Sequence, residues 1–230
     1  MERKLELQKL AKQLQINFSD FSLLEQALLH RSYLNEHPEQ SSNNERLEFL
    51  GDAVLELVVT EYLYQEYPLP EGELTLLRSA IVKKDNLADI ARVLNLGEYL
   101  YLSKGEEKSG GREKSYLLAN TVEAVIGAIY LDQGLVKTRE FITRTVLITL
   151  EKIVNEKLHI DSKSLFQEKA QAITSITPEY QVIEESGPAH DRTFMMGVYL
   201  NNELIATGKG SSKQSAEQAA ARNALAIKQW

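Results

Sequence analysis

The sequence predicts an all-α domain followed by a small α+β domain. Three observations lead to this prediction. Apolar residues keep a helical spacing through residue 157, a polar stretch occupies 158–163, and alternating β-rich patterns begin after residue 164. The 230 residues are enough for two ordinary domains. We therefore expect domains at 1–157 and 164–230, joined by a linker at 158–163.

The first domain is predicted to contain seven helices, because apolar residues recur there every three or four positions. The segments are 5–15, 22–29, 47–63, 74–82, 86–94, 115–131 and 138–154. Turn signals separate them at 37–44, 67–73 and 104–114. The last turn, KGEEKSGGREK, is polar and contains a Gly-Gly pair, so we expect a mobile loop.

The second domain follows the order α-β-β-β-α. SLFQEKAQAI predicts a short helix, and EYQVIEESG, RTFMMGVYLNN and ELIATGKG predict three strands. Asn201-Asn202 suits a hairpin turn between the last two strands. The alanine-rich segment after them predicts an amphipathic helix with Ser211 or Ser212 as its N-cap. A sheet covered by two helices follows from this order.

Composition narrows the class of protein. The chain has no cysteine, which excludes disulfides and thiolate metal ligands and fits a cytoplasmic location. No apolar run of about 18 residues occurs, so no membrane span and no membrane partner are expected. The net charge of −7 is opposite to that of a generic nucleic-acid binder. Local charge matters more, because salt screens charges over about 8 Å.

The segment NNERLEFLGDAVLE at 43–56 carries a row of acids along an apolar helix. At about 100° per residue, Glu45, Glu48, Asp52 and Glu56 fall within about 80° of one another. Apolar residues fill the rest of the circumference, which predicts a buried helix. Such an acidic stripe is costly unless it faces solvent, a cationic side chain or a metal ion.

A second apolar segment, SYLLANTVEAVIGAIYLD at 115–132, carries a matching polar stripe. Asn120 and Glu123 are three residues apart and share one helix face. Gly127 follows on that face and would allow another helix to approach closely. We therefore expect the two polar stripes to face each other.

This pairing would gather Glu48, Asp52, Asn120 and Glu123 at one site. Close carboxylates repel and titrate abnormally unless a cation joins them. Every ligand in the set is an oxygen, which suits Mg²⁺ or Mn²⁺ better than zinc.

A row of acids at helical spacing is also typical of a solvated face. In addition, Asp52 and Glu123 could form salt bridges with Arg46 or Arg78. The spacing by itself leaves the metal site and these alternatives open, and Glu56 is expected to face solvent or form a salt bridge.

Several segments resemble one family. ERLEFLGDAVLE is similar to the signature segment of bacterial ribonuclease III, a double-strand-specific RNA endonuclease. Four further segments match the family in its usual order: ALLHRSYLNE at 27–36, PEGELTLLRSAIVKKDNLA at 70–88, GEEKSGG at 105–111 and TVEAVIGAIYLD at 121–132. GPAHDRTF at 187–194 and GKGSSKQSAEQAAA at 208–221 resemble its double-stranded-RNA-binding domain. The resemblance covers nearly the whole chain.

The resemblance implies roles for individual acids. Glu48 and Asp52 match metal-binding residues, and Glu123 matches a later metal-binding glutamate that is central to catalysis with Asp52. Glu45 and Glu71 match acids near the cleavage site and the subunit contact. The family works as a Mg²⁺-dependent homodimer in which each subunit cuts one strand. Its products carry a 5′ phosphate, a 3′ hydroxyl and a short 3′ overhang.

Asn120 departs from the family, which usually has aspartate there. An amide oxygen can ligate Mg²⁺ but brings no charge, so metal affinity should fall. A natural active variant, a substitution made to trap substrate, and a lineage without the chemistry all stay open. The expected function is therefore cleavage of double-stranded RNA in the processing of ribosomal RNA precursors and other structured RNAs. A non-catalytic or cleavage-impaired double-stranded-RNA-binding protein is the alternative.

The resemblance also implies how the second domain would hold RNA, by contacts to two minor grooves and the phosphates between them. The candidates are Gln167, Glu168, His190, Lys209, Ser211, Ser212 and Lys213. From residue 164 onward there are six Lys and Arg against seven Asp and Glu, a net charge of −1. Binding by this domain alone should therefore be weak and salt-sensitive.

Further phosphate contacts are expected in the first domain. The candidates are Arg46, Arg78, Lys83, Lys84 and the basic residues of the 104–114 loop. A solvated face explains Lys83 and Lys84 equally well.

Overall fold

The computed structural model describes residues 2–187 and 192–230. The chain divides into two compact units, with the boundary between His159 and Ile160. His190, one of the RNA-binding candidates, lies outside the described residues. No helix in the described part of the chain is long and apolar enough to cross a bilayer.

The first unit is entirely helical. Its α-helices are α1 (Glu2–Gln13), α2 (Phe21–Ala27), α3 (Arg31–Leu34), α4 (Glu45–Glu66), α5 (Glu71–Ile81), α6 (Lys84–Val93), α7 (Leu96–Tyr99), α8 (Lys104–Lys108), α9 (Ser115–Thr145) and α10 (Leu150–Asn155). Single turns of 3₁₀ helix cover Gly111–Glu113 and Leu147–Thr149. The long helices α4 and α9 pack together at the centre, as the two polar stripes predict.

Two glycines allow α4 and α9 to touch backbone to backbone. A Cβ placed on Gly51 would lie 1.7 Å from the carbonyl oxygen of Glu123. A Cβ on Gly127 would lie 2.2 Å from the carbonyl oxygen of Leu47. Side chains at either position would force the helices apart, so this contact determines how close the acids of α4 lie to Glu123.

The prediction that α4 is buried all round is wrong. Its buried face carries residues such as Leu55, Val58 and Val59, which lie in the core. Phe49 and Tyr64, in contrast, are 81% and 79% exposed, and Leu57 is 55% exposed. At about 100° per residue these three side chains lie within about 80° of one another. One apolar face of α4 is therefore uncovered in the single chain.

The expected loop at 104–114 is instead mostly helical, comprising α8 and a 3₁₀ turn. The Arg112 guanidinium holds it in place by donating from Nη1 to the carbonyls of Gly97, Glu98 and Leu100, at 2.8, 3.0 and 3.1 Å. Ser103 caps α8 by accepting a hydrogen bond from the Glu106 amide. Contacts with residues 97–100 hold this segment in place, which a count of polar residues does not reveal.

The helices predicted at 115–131 and 138–154 have different bounds in the structure, where they correspond to α9 and α10. The helical ladder of α9 runs to Thr145 and is interrupted at Gly134, whose φ is +74°. That conformation favours glycine and breaks the helix into two parts. The short helices α3 and α7 have too few residues to show a periodic pattern.

The second unit has the predicted α-β-β-β-α order. Its elements are α11 (Ser162–Thr174), β1 (Glu179–Ser186), β2 (Thr193–Leu200), β3 (Glu203–Gly210) and α12 (Lys213–Lys228). The strands form an antiparallel sheet in the order β1-β2-β3. Asn201 and Asn202 both have positive φ and form the turn between β2 and β3, as expected for a tight hairpin.

The last strand and the last helix of this unit pack closely against each other. A Cβ on Gly208 would lie 2.1 Å from the amide nitrogen of Ala220, so β3 and α12 also approach closely. Phe166 of α11 is fully buried in the same core and stacks with Trp230 at 5.4 Å between ring centroids.

Candidate active site

The start of α4 is held firmly against the end of α2. Asn44 is buried, and its backbone N–H donates to the carbonyl of Leu29 at 2.9 Å. The Asn43 side chain accepts a hydrogen bond from the Glu45 amide at 3.1 Å, which satisfies one of the free N–H groups of the first turn. These contacts orient the first two turns of α4, which carry Glu45, Glu48 and Asp52.

The α4–α9 contact brings together all four predicted metal ligands. Burial raises the pKa of Glu48, the Asn120 amide lowers it in part, and the charges of Glu45 and Asp52 add to the net rise. Burial raises the pKa of Glu123 to about 8, and the charges of Asp52 and Glu48 add to this rise. We call Glu48, Asp52, Asn120 and Glu123 the acidic cluster.

The acidic cluster fits a hard divalent cation by its chemistry. Its ligands are all oxygens, and its carboxylates disfavour one another's charged forms, a situation that a bound cation relieves. Across residues 2–187 and 192–230, no three histidine, cysteine, aspartate or glutamate side chains converge closely enough to hold a metal. The three carboxylates of the acidic cluster therefore do not form a closed ligand set by themselves in this structure.

The predicted alternative, a salt-bridged pair, is wrong for this geometry. In the described chain neither Asp52 nor Glu123 forms an ion pair with Arg46 or Arg78. Arg78 donates instead to the Thr60 hydroxyl at 3.2 Å. The negative charge of the acidic cluster is not neutralised by these arginines.

A cleft of about 810 Å³ opens beside the acidic cluster. Glu45, Glu48 and Asn120 line one side of it. His30 and Arg31, which no prediction assigned to the site, also line it. Their only signal in the sequence was the segment ALLHRSYLNE, whose resemblance to the family carried no specific role.

Glu71 is placed differently from the acidic cluster. It is exposed in the first turn of α5, where it accepts a hydrogen bond from the Thr75 hydroxyl at 3.0 Å. It does not line the cleft. Its predicted place near the cleavage site or subunit contact stays a prediction.

The basic residues of 104–114 are only partly free for RNA. Arg112 binds backbone carbonyls, and Lys114 pairs with Glu106 at 2.6 Å. Lys104 and Lys108 are exposed. Phosphate contacts from this segment would therefore come from these two lysines.

The RNA-binding candidates of the second unit lie on its surface. The exposed ones are Gln167, Glu168, Lys209, Ser211, Ser212 and Lys213. Ser212 is the N-cap of α12 and forms a capping box with Ser215, so it already has a structural role. Lys209 belongs to β3, within the predicted strand ELIATGKG.

Comparison with known proteins identifies the family of both units. A family model described as "Ribonuclease-III-like" matches residues 20–150, and one described as "Double-stranded RNA binding motif" matches 162–228. The chain belongs to the ribonuclease III family. It is accordingly a hydrolytic endoribonuclease that acts on double-stranded RNA.

Named relatives span nearly the full length. "Ribonuclease 3" of Borreliella burgdorferi is 47% identical over 97% of this chain and 92% of its own. "Ribonuclease 3" of Enterococcus faecalis is 49% identical over 91% and 92%. A solved ribonuclease III nuclease domain from Campylobacter jejuni, described as having a flexible region involved in dimer formation, aligns with a TM-score of 0.56. It is 45% identical and covers 60% of this chain and 94% of its own.

Proposed function

We propose that this ribonuclease III family member uses Mg²⁺, with Mn²⁺ as a substitute, to hydrolyse double-stranded RNA. The products would carry 5′ phosphates and 3′ hydroxyls with a short 3′ overhang. The observation that carries the proposal is the Glu123 carboxyl, which burial, Asp52 and Glu48 hold at a pKa of about 8. A carboxyl in such surroundings is best ionised beside a cation.

The ligands of the ion would be the four residues of the acidic cluster. When bound, Mg²⁺ supplies an acidified water and stabilises negative charge on the phosphodiester oxygens. Asp52 and Glu123 act as catalytic residues, since their carboxylate oxygens accept hydrogen bonds from the attacking water and orient it. Glu48 adds the third negative charge, and Asn120 offers a neutral amide oxygen.

A homodimer through the nuclease unit is part of the proposal. The exposed face of α4 carries the large apolar side chains of Phe49, Leu57 and Tyr64, and exposed apolar side chains that lie together often mark protein interfaces. The Campylobacter nuclease domain is described as forming a dimer. Sedimentation of the native chain is expected to give twice the monomer mass, and Phe49→Arg to give the monomer.

The finer assignments rest on the resemblance. We propose that residues 1–157 form the nuclease domain, 158–163 the linker and 164–230 the RNA-binding domain. Gln167, Glu168, His190, Lys209 and Lys213, with the two serines before α12, would contact RNA. The physiological role would be the processing of ribosomal RNA precursors and other structured RNAs in the cytoplasm.

A second candidate function follows from Asn120. With an amide at this position the cluster has three acids, so the chain would bind double-stranded RNA and cut it poorly or not at all. The two candidates differ at a single residue, which makes them separable by one experiment.

The experiment is a cleavage assay on a long, end-labelled RNA duplex with Mg²⁺. The native chain is compared with Asn120→Asp and Glu123→Gln. Cutting by the native chain, lost in Glu123→Gln, supports the enzyme. Binding without cutting, with activity gained in Asn120→Asp, supports the impaired binder. If the native chain cuts, Asn120→Asp should lower the Mg²⁺ concentration needed for half-maximal rate, since it adds one charge to the site.

A further inference from the structure

His30 shares the cleft with two members of the acidic cluster. His30 precedes α3 and lines the cleft together with Glu48 and Asn120. Its backbone amide donates to the Tyr101 carbonyl at 3.2 Å, and the Leu29–Tyr101 bridge joins the two segments. The backbone of His30 is thus held by the neighbouring segment of the chain.

Hydrogen bonds determine which nitrogen of the His30 ring carries the proton. The Ser32 amide donates to Nδ1 at 3.3 Å, and the Ser32 hydroxyl lies 2.8 Å from the same nitrogen. Because Nδ1 accepts from the Ser32 amide, the Ser32 hydroxyl can donate its hydrogen to the same nitrogen while its oxygen accepts from the Ser103 amide at 3.1 Å. Nδ1 is therefore an acceptor, and Nε2 carries the hydrogen in the neutral ring.

The Nε2–H group has no acceptor within residues 2–187 and 192–230, and it is not sealed from solvent. Burial lowers the pKa of His30, which favours the neutral ring that these hydrogen bonds require. A solvent-accessible N–H group on a residue that lines a cleft is suited to bind an oxygen of a ligand.

The charges around the cleft indicate which kind of ligand oxygen His30 would bind. Glu106 is already paired with Lys114 at 2.6 Å, while Glu45 and Glu48 repel an RNA backbone. Arg31 follows His30 directly, is highly exposed and lies 3.7 Å from Glu45. Arg31 therefore offers an anionic group a positive charge next to His30 in sequence, a charge that it shares with Glu45.

We propose that His30 is a substrate-binding residue whose Nε2–H donates a hydrogen bond to a backbone phosphate of the RNA strand in the cleft. This inference rests on the proposed function, because it takes RNA as the occupant. It assigns His30 two separate tasks: Nδ1 caps α3, and Nε2 holds the substrate.

Two amide substitutions separate these tasks. In His30→Asn, the side-chain oxygen can accept from the Ser32 amide, but the side chain is too short to reach the Nε2 position. In His30→Gln, the longer side chain can place a donor near Nε2 but is a poor cap. A capping role alone would spare His30→Asn and harm His30→Gln. A substrate-binding role predicts the reverse for RNA affinity.

The test uses the full chain and an RNA duplex labelled with a fluorophore. Anisotropy in EDTA measures Kd without cleavage, thermal unfolding measures Tm, and single-turnover cleavage with Mg²⁺ measures the rate. His30→Asn should keep the native Tm and weaken Kd by about tenfold, as expected for losing a hydrogen bond to a charged group. His30→Gln should lower Tm and keep Kd within about twofold of native.

Native Kd and cleavage in His30→Asn would overturn the proposal, as would losses that follow Tm in both variants. Duplexes with single methylphosphonate or 2′-deoxy positions identify the acceptor. The native chain and His30→Asn should become equal on one methylphosphonate duplex, and equality on a 2′-deoxy duplex instead would overturn the phosphate assignment. If the native chain binds but never cuts, the proposed hydrolysis fails while the anisotropy result still decides the role of His30.

Discussion

The acidic cluster of the first unit and the RNA-binding candidates of the second unit place charge in opposite ways. In the cluster, burial raises the pKa of Glu123 to about 8, and the charges of Asp52 and Glu48 add to this rise. In the second unit, side chains such as Gln167, Lys209 and Lys213 stand exposed. Desolvated charge interacts strongly, whereas exposed charge is screened. Single substitutions should therefore change stability or activity strongly in the acidic cluster and only weakly among the RNA-binding candidates of the second unit.

The largest expected effect comes from the backbone contact that forms the cluster. Gly51→Ala should destabilise the protein by about 3 kcal/mol and abolish cleavage, because the added methyl meets the Glu123 carbonyl. Urea unfolding and the cleavage assay measure both effects. Gly72→Ala is the control, since no atom lies within 4 Å of its Cβ. If both variants unfold alike, the close helix contact does not position the cluster.

The next largest effect is expected on the pH dependence of folding stability, which the Glu123 carboxyl should control when no metal is bound. Its pKa of about 8 lies above the ordinary value of 4.5, so the folded state holds a proton that the unfolded chain releases. Folding stability should therefore fall as pH rises from about 4.5 to about 8. Glu123→Gln removes this loss and should be more stable than native at pH 8.5 in EDTA. Allowing for solvent screening, the gain should be about 1–3 kcal/mol.

The same comparison at pH 4.5 should show little gain, because the folded state then holds the proton and the unfolded chain is only half ionised. Denaturant unfolding at the two pH values gives the difference. Glu56→Gln, an exposed acid on α4, is the matched control and should show no such pH dependence. Excess Mg²⁺ should reverse the order, since the cation favours the native glutamate. A gain that is equal at both pH values would contradict the role of desolvation.

A smaller effect is expected at the cap of α12. Ser212→Ala should lower the stability of the second unit by about 1 kcal/mol, because its hydroxyl accepts from the Ser215 amide at 3.1 Å. Thermal unfolding followed by circular dichroism measures the change. Ser211→Ala, next to it and equally exposed, should unfold like the native chain.

The smallest effect is expected for a single exposed lysine. Lys213→Gln should reduce the slope of log Kd against log salt by about 1 and weaken RNA binding only modestly. Lys228→Gln removes the same charge from the other end of α12 and should leave the slope unchanged. Equal slopes for both variants would mean that Lys213 acts only through net charge.

Local patterns in the sequence determined much of this molecule. Apolar spacing predicted the helices that carry Glu48 and Glu123, and the Asn201-Asn202 pair predicted its hairpin. Ser212 was one of two predicted caps. These features depend on residues a few positions apart, so a short stretch of chain contains all the physical information that they need.

The tertiary structure alone decided which of these elements meet and which face each buries. Periodicity placed Asp52 and Glu123 on polar stripes, but only the Gly51–Gly127 crossing shows how close they lie. The tertiary structure also leaves Phe49 exposed and places His30 among the residues that line the cleft. Arg112 ordered the 104–114 segment through carbonyls from another part of the chain. Such contacts join residues far apart in sequence, and a local pattern reports the angle of a side chain on its own helix, not its partner.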